Sequence, residues 1–253
     1  MSTGAPITVV ILTLNEERHI QSCIRSARTL SPHILVFDSY STDRTVELAR
    51  AEGAEVMQRS FDTYPGQRNA ALRAVSTPWV FFLDADERIP SDLAAEVREA
   101  IHRTDRVGWW VPRRNIIVGK WIRGGGWYPD YQLRLLRVDK ARYDPQREVH
   151  EVVLLDGEAG HLSHALIHYN YDTWAEFRAK QQRYASYEVR VLRQQGVTTR
   201  PYTPYTMPVR EFWRRFVQLR GYQDGLHGLR LALYMAQYTH RVYRALRDEE
   251  KEP

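Results

Sequence analysis

The chain has 253 residues, enough for one large domain or a domain with an appendage, and it can bury a substantial core without staples. Its single cysteine, Cys23, excludes an intrachain disulfide and suits a reducing compartment. The net charge of +5 is uneven: residues 174–253 hold 15 Lys and Arg against 8 Asp and Glu, a net of +7 that leaves −2 for the rest, so the basic character belongs to the last third.

The N-terminal "ITVVILTL" has no basic region before it and is too short for a secretion signal or a membrane span, so it reads as a first strand. Residues 1 to about 105 then alternate short β-rich runs with helical patterns: "HILVFDSY" before 42–52, "EVMQRSF" before 66–75 and "WVFFLD" before 91–103. Runs that are apolar at nearly every position are buried on both faces, which predicts an α/β fold with a parallel sheet covered by helices. Ligands of such sheets bind beyond the carboxyl ends of the strands. There the chain places Thr13-Leu14-Asn15-Glu16, Asp38-Ser39 and Asp84-Ala85-Asp86.

From about 106 the strands lengthen and carry Trp, Tyr and Arg ("GWWVPRRNIIVG", "YQLRLLRV", "HEVVLL", "SHALIHYNY"), the mark of a mixed or antiparallel continuation. From Thr173 the pattern turns helical, with Thr173 and Glu176 at capping-box spacing and Gly196 as the stop. A proline-punctuated linker is expected over 201–208, followed by helical segments at about 210–222 and 227–246. The domain reading is 1–172, made of a nucleotide half (1–105) and an acceptor half (106–172), with 173–253 as a helical extension.

Asp84 and Asp86, two apart on an extended chain, point to one side. Two hard oxygen donors suit Mg²⁺ or Mn²⁺ shared with a diphosphate, although acids here can also simply cap the following turn. The loop after the first strand, "TLNEERHI", lacks the glycines of a dinucleotide fingerprint or a P-loop, so phosphate charge has to be met otherwise, and a cation held at "DAD" is the candidate. His150, His161, His164 and His168 lack cysteine partners and indicate zinc only weakly.

"VVILTLNEERHI", "VFDSYSTDRTVELA", "GQRNAALRAV" and "WVFFLDADER" occur in the order and approximate spacing of the family 2 glycosyltransferases, inverting enzymes of GT-A fold that use nucleotide-diphosphate sugars. The later "WYPDYQLRLLR", "REVHE", "LIHYNY", "KQQRY" and "GYQDGLHG" resemble the subgroup of bacterial lipopolysaccharide-core β-1,4-glucosyltransferases. The resemblance implies a Rossmann-like GT-A domain with a mixed central sheet and a helical extension. It implies that Thr13, Leu14, Asn15 and Glu16 line the base and ribose pocket, that Asp38 accepts a hydrogen bond from uracil, and that Arg68 helps hold the nucleotide. Asp84, with Ala85, would face the ribose or donor sugar, and Asp86 would ligate the cation.

The implied reaction is inverting displacement of a nucleoside diphosphate by an acceptor hydroxyl, which needs a carboxylate base. Asp130, after the aromatic, glycine-rich "GGGWYP", is the first choice and Glu151 the second; Trp127 and His150 are expected on the acceptor side. The substrates implied are a UDP-sugar, glucose first, and a cell-envelope saccharide or lipid-linked acceptor. A polyprenyl-phosphate sugar transferase and a catalytically silent nucleotide-sugar-binding protein are the alternatives. The basic, aromatic segment "REFWRRFVQLRGY" fits either an anionic membrane surface or a helical cap; nucleic acid is not expected. The expected location is the cytoplasm, with peripheral attachment to the inner face of its membrane as the added possibility.

Overall fold

The structure is a computed structural model and describes residues 6–145 and 153–249. Its first part alternates as expected: β1 (Ile7–Thr13), α1 (Ile20–Ala27), β2 (Ile34–Asp38), α2 (Thr45–Ala51), β3 (Glu55–Gln58), α3 (Tyr64–Ala74), β4 (Trp79–Asp84), the short β5 (Glu87–Arg88) and α4 (Ser91–Ala100). Strands β6 (Gly108–Ile117), β7 (Lys120–Trp121), β8 (Asp130–Arg137), β9 (Ala141–Tyr143), β10 (Val153–Leu155), β11 (Ala159–His161) and β12 (Leu166–Tyr171) follow. Helices α5 (Trp174–Gln194), α6 (Thr203–Trp213) and α7 (Leu226–Glu249) complete the described chain.

The main sheet runs β3-β2-β1-β4-β8-β6-β12-β5. Its first four strands are parallel, and β8 turns antiparallel to β4. This is the mixed α/β sheet that the alternation and the later strands predict. The period-two geometry explains why β1 and β4 are apolar throughout. Val9, Ile11, Phe81 and Leu83 pack on one face with Ile24 of α1 and Leu93 and Val97 of α4. Val10, Val80 and Phe82 pack on the other with Ala71 and Leu72 of α3. Because Thr13 is level with Asp38 and Leu12 with Asp84, the polar ends of three adjacent strands finish together.

The chain forms two compact units, one of 1–113 with 131–168 and one of 114–130 with 169–253. The second therefore takes in a stretch that the expected boundary at 172 assigned to the first. The cause is packing: Ile117 and Ile122 are buried in one cluster with Tyr171, Phe177, Leu231 and Met235. The Thr173 and Glu176 capping box forms as expected and starts α5.

Most of the expected linker at 201–208 is instead helical, because α6 begins at Thr203. Pro204 lies in the first turn, where its missing N–H costs nothing. Pro208, inside the helix, leaves the Pro204 carbonyl without its usual donor, and His240 Nδ1 of α7 sits 2.7 Å from that oxygen. A tertiary contact thus rescues a helix that local sequence argues against. After Trp213 the chain widens into a π-helical turn, Arg214–Gln218. Among the described residues no helix is long and apolar enough to cross a membrane.

Candidate active site

The β1–α1 and β2–α2 loops, which contain no glycine, are stitched by side chains. Asn15, in the left-handed region at φ 56°, donates its N–H to Ser41 Oγ (2.8 Å) and accepts from Thr42 N through Oδ1 (2.8 Å). Glu16 N donates to Thr45 Oγ1 (2.7 Å) and Glu17 N to Asp43 Oδ2 (3.0 Å). Leu14 and Tyr40 stand exposed beside this seam. Rigid backbone and an open apolar rim are what a base and ribose pocket needs.

Asp38 is fully buried under the seam. Its Oδ1 accepts from Thr13 Oγ1 (3.0 Å) and Ser41 Oγ (2.5 Å), and its Oδ2 from Ser41 N (2.9 Å) and Gln58 Nε2 (3.1 Å). Both oxygens are taken by the chain's own donors, so Asp38 braces the pocket from beneath. A contact with uracil requires one of these donors to turn away.

At the end of β4 the acids divide their work. Asp84 receives Nη1 of Arg134 at 3.2 Å and Nη2 of the same guanidinium on its other oxygen. Glu87, fully buried, accepts Asp84 N (3.0 Å), Arg134 Nη2 (2.7 Å) and Arg113 Nη1 (3.3 Å). Arg68 of α3 is no loose surface residue: its guanidinium lies 5.1 Å from the Phe82 ring centroid and its Nη2 is 3.6 Å from Asp84 Oδ1. Burial opposes the Asp84 charge, but Arg134, Arg68 and Arg113 together outweigh it and hold the carboxyl well below the usual carboxylate range. Burial likewise opposes the Arg134 charge, and Asp84 and Glu87 outweigh it, pushing that group up. Three guanidiniums around two carboxylates leave a cationic surplus that suits an anionic ligand.

Asp86 Oδ2 is 3.2 Å from Nε2 of His168 on β12. The strand register explains the meeting, since His168 pairs with Glu87 across β12 and β5. Among the described residues no three His, Cys, Asp or Glu side chains form a metal cluster. Asp86 and His168 offer one oxygen and one nitrogen, which fits a cation whose other ligands are diphosphate oxygens and water. Of the other histidines, His161 stacks on Trp110 and His164 meets Glu96, away from Asp86.

Asp130 opens β8 and accepts Asn115 Nδ2 at 3.3 Å; the same amide nitrogen donates to Trp127 O at 2.8 Å. The glycine-rich loop before it is pinned by hydrogen bonds. Gly125 N donates to Leu219 O (2.7 Å), Arg215 Nη1 to Gly125 O (2.8 Å), and the buried Asp224 carboxylate accepts Arg123 N and Gly124 N (3.1 and 2.8 Å). A Cβ at Gly124 would stand 2.3 Å from Arg220 O, so only glycine fits there. Trp127, expected on the acceptor side, packs against Phe177 with the Arg215 guanidinium 5.6 Å from its ring centroid. His150 and Glu151 lie outside the described residues.

Residues 8–152 match the profile of glycosyl transferase family 2. The lipopolysaccharide core biosynthesis glycosyltransferase LpsC of Rhizobium meliloti is 30% identical over 241 residues, 92% of this chain and 89% of the relative. An uncharacterized glycosyltransferase of Rickettsia typhi is 35% identical over 102 residues, 40% of this chain and 35% of that protein. Glucosyl-3-phosphoglycerate synthase from Mycobacterium tuberculosis, solved with Mn²⁺, UDP and glucosyl-3-phosphoglycerate, superposes with a TM-score of 0.48 at 20% identity, covering 76% of this chain and 81% of that one. That likeness is too distant to assign a ligand here.

Proposed function

The chain belongs to glycosyl transferase family 2 and is a glycosyltransferase; from that premise we propose that it moves a hexose, glucose first, from a UDP-sugar to a cell-envelope saccharide or lipid-linked acceptor, with inversion and with a divalent cation. The observation that carries the donor side is the end of β4, where Arg68, Arg113 and Arg134 surround Asp84 and Glu87 while Asp86 stands with His168. The cell-envelope acceptor draws its support from LpsC, a relative along nearly the whole chain whose name places it in lipopolysaccharide core biosynthesis.

In this reading the loops of Thr13–Glu16 and Ser39–Asp43 receive the base and ribose, and Asp38 keeps them in shape. Asp84, fixed by Arg134, faces the ribose or sugar. Mg²⁺ or Mn²⁺, held by Asp86 and His168, would neutralise charge on the departing diphosphate. Arg68 lies close enough to Asp84 to favour the same anionic group. The acceptor hydroxyl attacks the anomeric carbon from the face opposite the leaving group, and a carboxylate takes its proton. Asp130 is the proposed base, at the head of the strand that also supplies Arg134, and Glu151 is the second candidate.

A thermal-shift panel of UDP, GDP, ADP and UDP-hexoses with Mn²⁺ tests the reading, because a ligand stabilises the fold in proportion to the logarithm of its excess over Kd. UDP and one UDP-hexose are expected to raise Tm more than GDP or ADP. Equal shifts for all three nucleotides would remove the uridine assignment. Stabilisation by UDP-hexose without transfer to any acceptor would favour the silent binding protein, and transfer to polyprenyl phosphate would favour the alternative enzyme.

A further inference from the structure

Helix α6 packs one side inward and leaves most of the other exposed, with Tyr205 touching the His240 ring at 5.8 Å. At about 100° per residue, Pro204, Met207, Pro208 and Glu211 fall on one half of the helix, and Tyr205, Val209 and Trp213, with Tyr202 just before the first turn, fall on the other. These four are 52% (Tyr202), 65% (Tyr205), 70% (Val209) and 57% (Trp213) exposed. The aromatic row continues past the helix: Phe212 and Phe216 stack at 5.4 Å, and the exposed Tyr222 meets Phe216 edge-on at 6.4 Å. Single exposed apolar residues are ordinary, but a row of them at helical spacing marks a surface that something covers.

The charge beside the row is mainly basic. Between Thr203 and Gln218 stand Arg210, Arg214 and Arg215 and a single acid, Glu211. That acid is turned inward and satisfied by Arg214 (2.8 Å) and Arg215 (2.5 Å). Arg215 is also drawn inward, to Gly125 O and the Trp127 ring. Arg210 remains exposed on the shoulder of the row.

We infer that the face formed by Tyr202, Tyr205, Val209 and Trp213 docks on an anionic lipid surface, lying in the headgroup region without crossing it. Tyrosine and tryptophan put a polar tip and an apolar ring at that depth, Val209 adds apolar area between them, and Arg210 meets lipid phosphate. A second copy of the chain fits less well, because a two-fold contact through this face would bring arginines together with no acid between them. The inference concerns this surface alone and stands whether or not the donor assignment holds.

The test is sedimentation of the full chain with vesicles of phosphatidylcholine, alone or mixed with phosphatidylglycerol. The protein is expected to sediment with the mixed vesicles and far less with the neutral ones. Val209→Glu and Trp213→Ala should each weaken partitioning by about tenfold or more. Arg210→Gln should weaken it by about fivefold, with high salt having a similar effect. An unchanged circular dichroism spectrum and an unchanged Tm increment with UDP would show that Val209→Glu leaves the fold and nucleotide site alone. Equal sedimentation of the parent and Val209→Glu, or none of the parent with anionic vesicles, overturns the inference. So does a dimer that Val209→Glu splits without altering vesicle binding, an outcome that would assign the face to a second copy.

Discussion

At the ends of β2 and β4, Asp38, Glu87 and Arg134 are charged and buried, each with protein partners, whereas along α6 Tyr205, Val209 and Trp213 are apolar and exposed. Both regions reverse the ordinary division of polar outside and apolar inside, and both cost stability unless something compensates. In the crevice the compensation is largely internal, because guanidiniums and carboxylates pair with one another before any ligand arrives, with Arg134 Nε buried outside those pairs. On α6 the chain supplies little, the Tyr205–His240 ring contact at 5.8 Å among it. On the two proposals, the difference separates a site preorganised for a small anion from a surface that completes itself against lipid.

The comparison can be broken most sharply at the proposed base. Asp130→Asn should lower turnover by roughly 10²- to 10⁴-fold and leave UDP affinity nearly unchanged, with Glu151→Gln costing less. Steady-state kinetics and calorimetry check this, and the reverse order moves the base to Glu151. Next comes the buried cluster itself. Arg134→Met leaves Asp84 and Glu87 short of their main partner and should cost about 3–5 kcal/mol in urea unfolding, while Val209→Glu on the bare face should stay within about 0.5 kcal/mol. Similar losses for the two would remove the distinction between a preorganised and an unfinished region.

A smaller effect follows from pH. Asp84 is held below the usual carboxylate range, so the folded state favours its ionised form. Its stabilisation is complete above the ordinary pKa of about 4 and is lost as pH falls from there towards the lower folded value. Asp84→Asn should start less stable at neutral pH and lose less Tm on acidification than the parent, by a few degrees, in a circular-dichroism melt series. Parallel curves would show that Asp84 carries no such linkage.

What the sequence made legible follows from range. Strands β1, β2 and β4 could be read because each is a mainly apolar run, and the crevice because their polar ends fall at fixed points along those runs. Arg134 and His168 were not legible, since each reaches its acid across the sheet, 50 and 82 residues away in the chain. The one local hint was a charged residue at a core position: Arg134 lies fully inside β8 among Leu133, Leu135 and Leu136. Arg68 reads equally well as a surface residue until Phe82 and Asp84 are seen beside it. The start of α6 was hidden because Pro204 and Pro208 speak for a linker locally, and only His240, 36 residues beyond Pro204, answers them.

The central claim is that Asp86 and His168 hold a cation that the nucleotide diphosphate completes. Calorimetry of UDP binding to the full chain, with Mn²⁺ and with EDTA, tests it without any need for the acceptor. The account predicts that Mn²⁺ tightens UDP binding to the parent by about tenfold or more, and that Asp86→Asn and His168→Ala each lose most of that gain while keeping the parent's circular dichroism spectrum. A Mn²⁺ effect that survives in Asp86→Asn would contradict it.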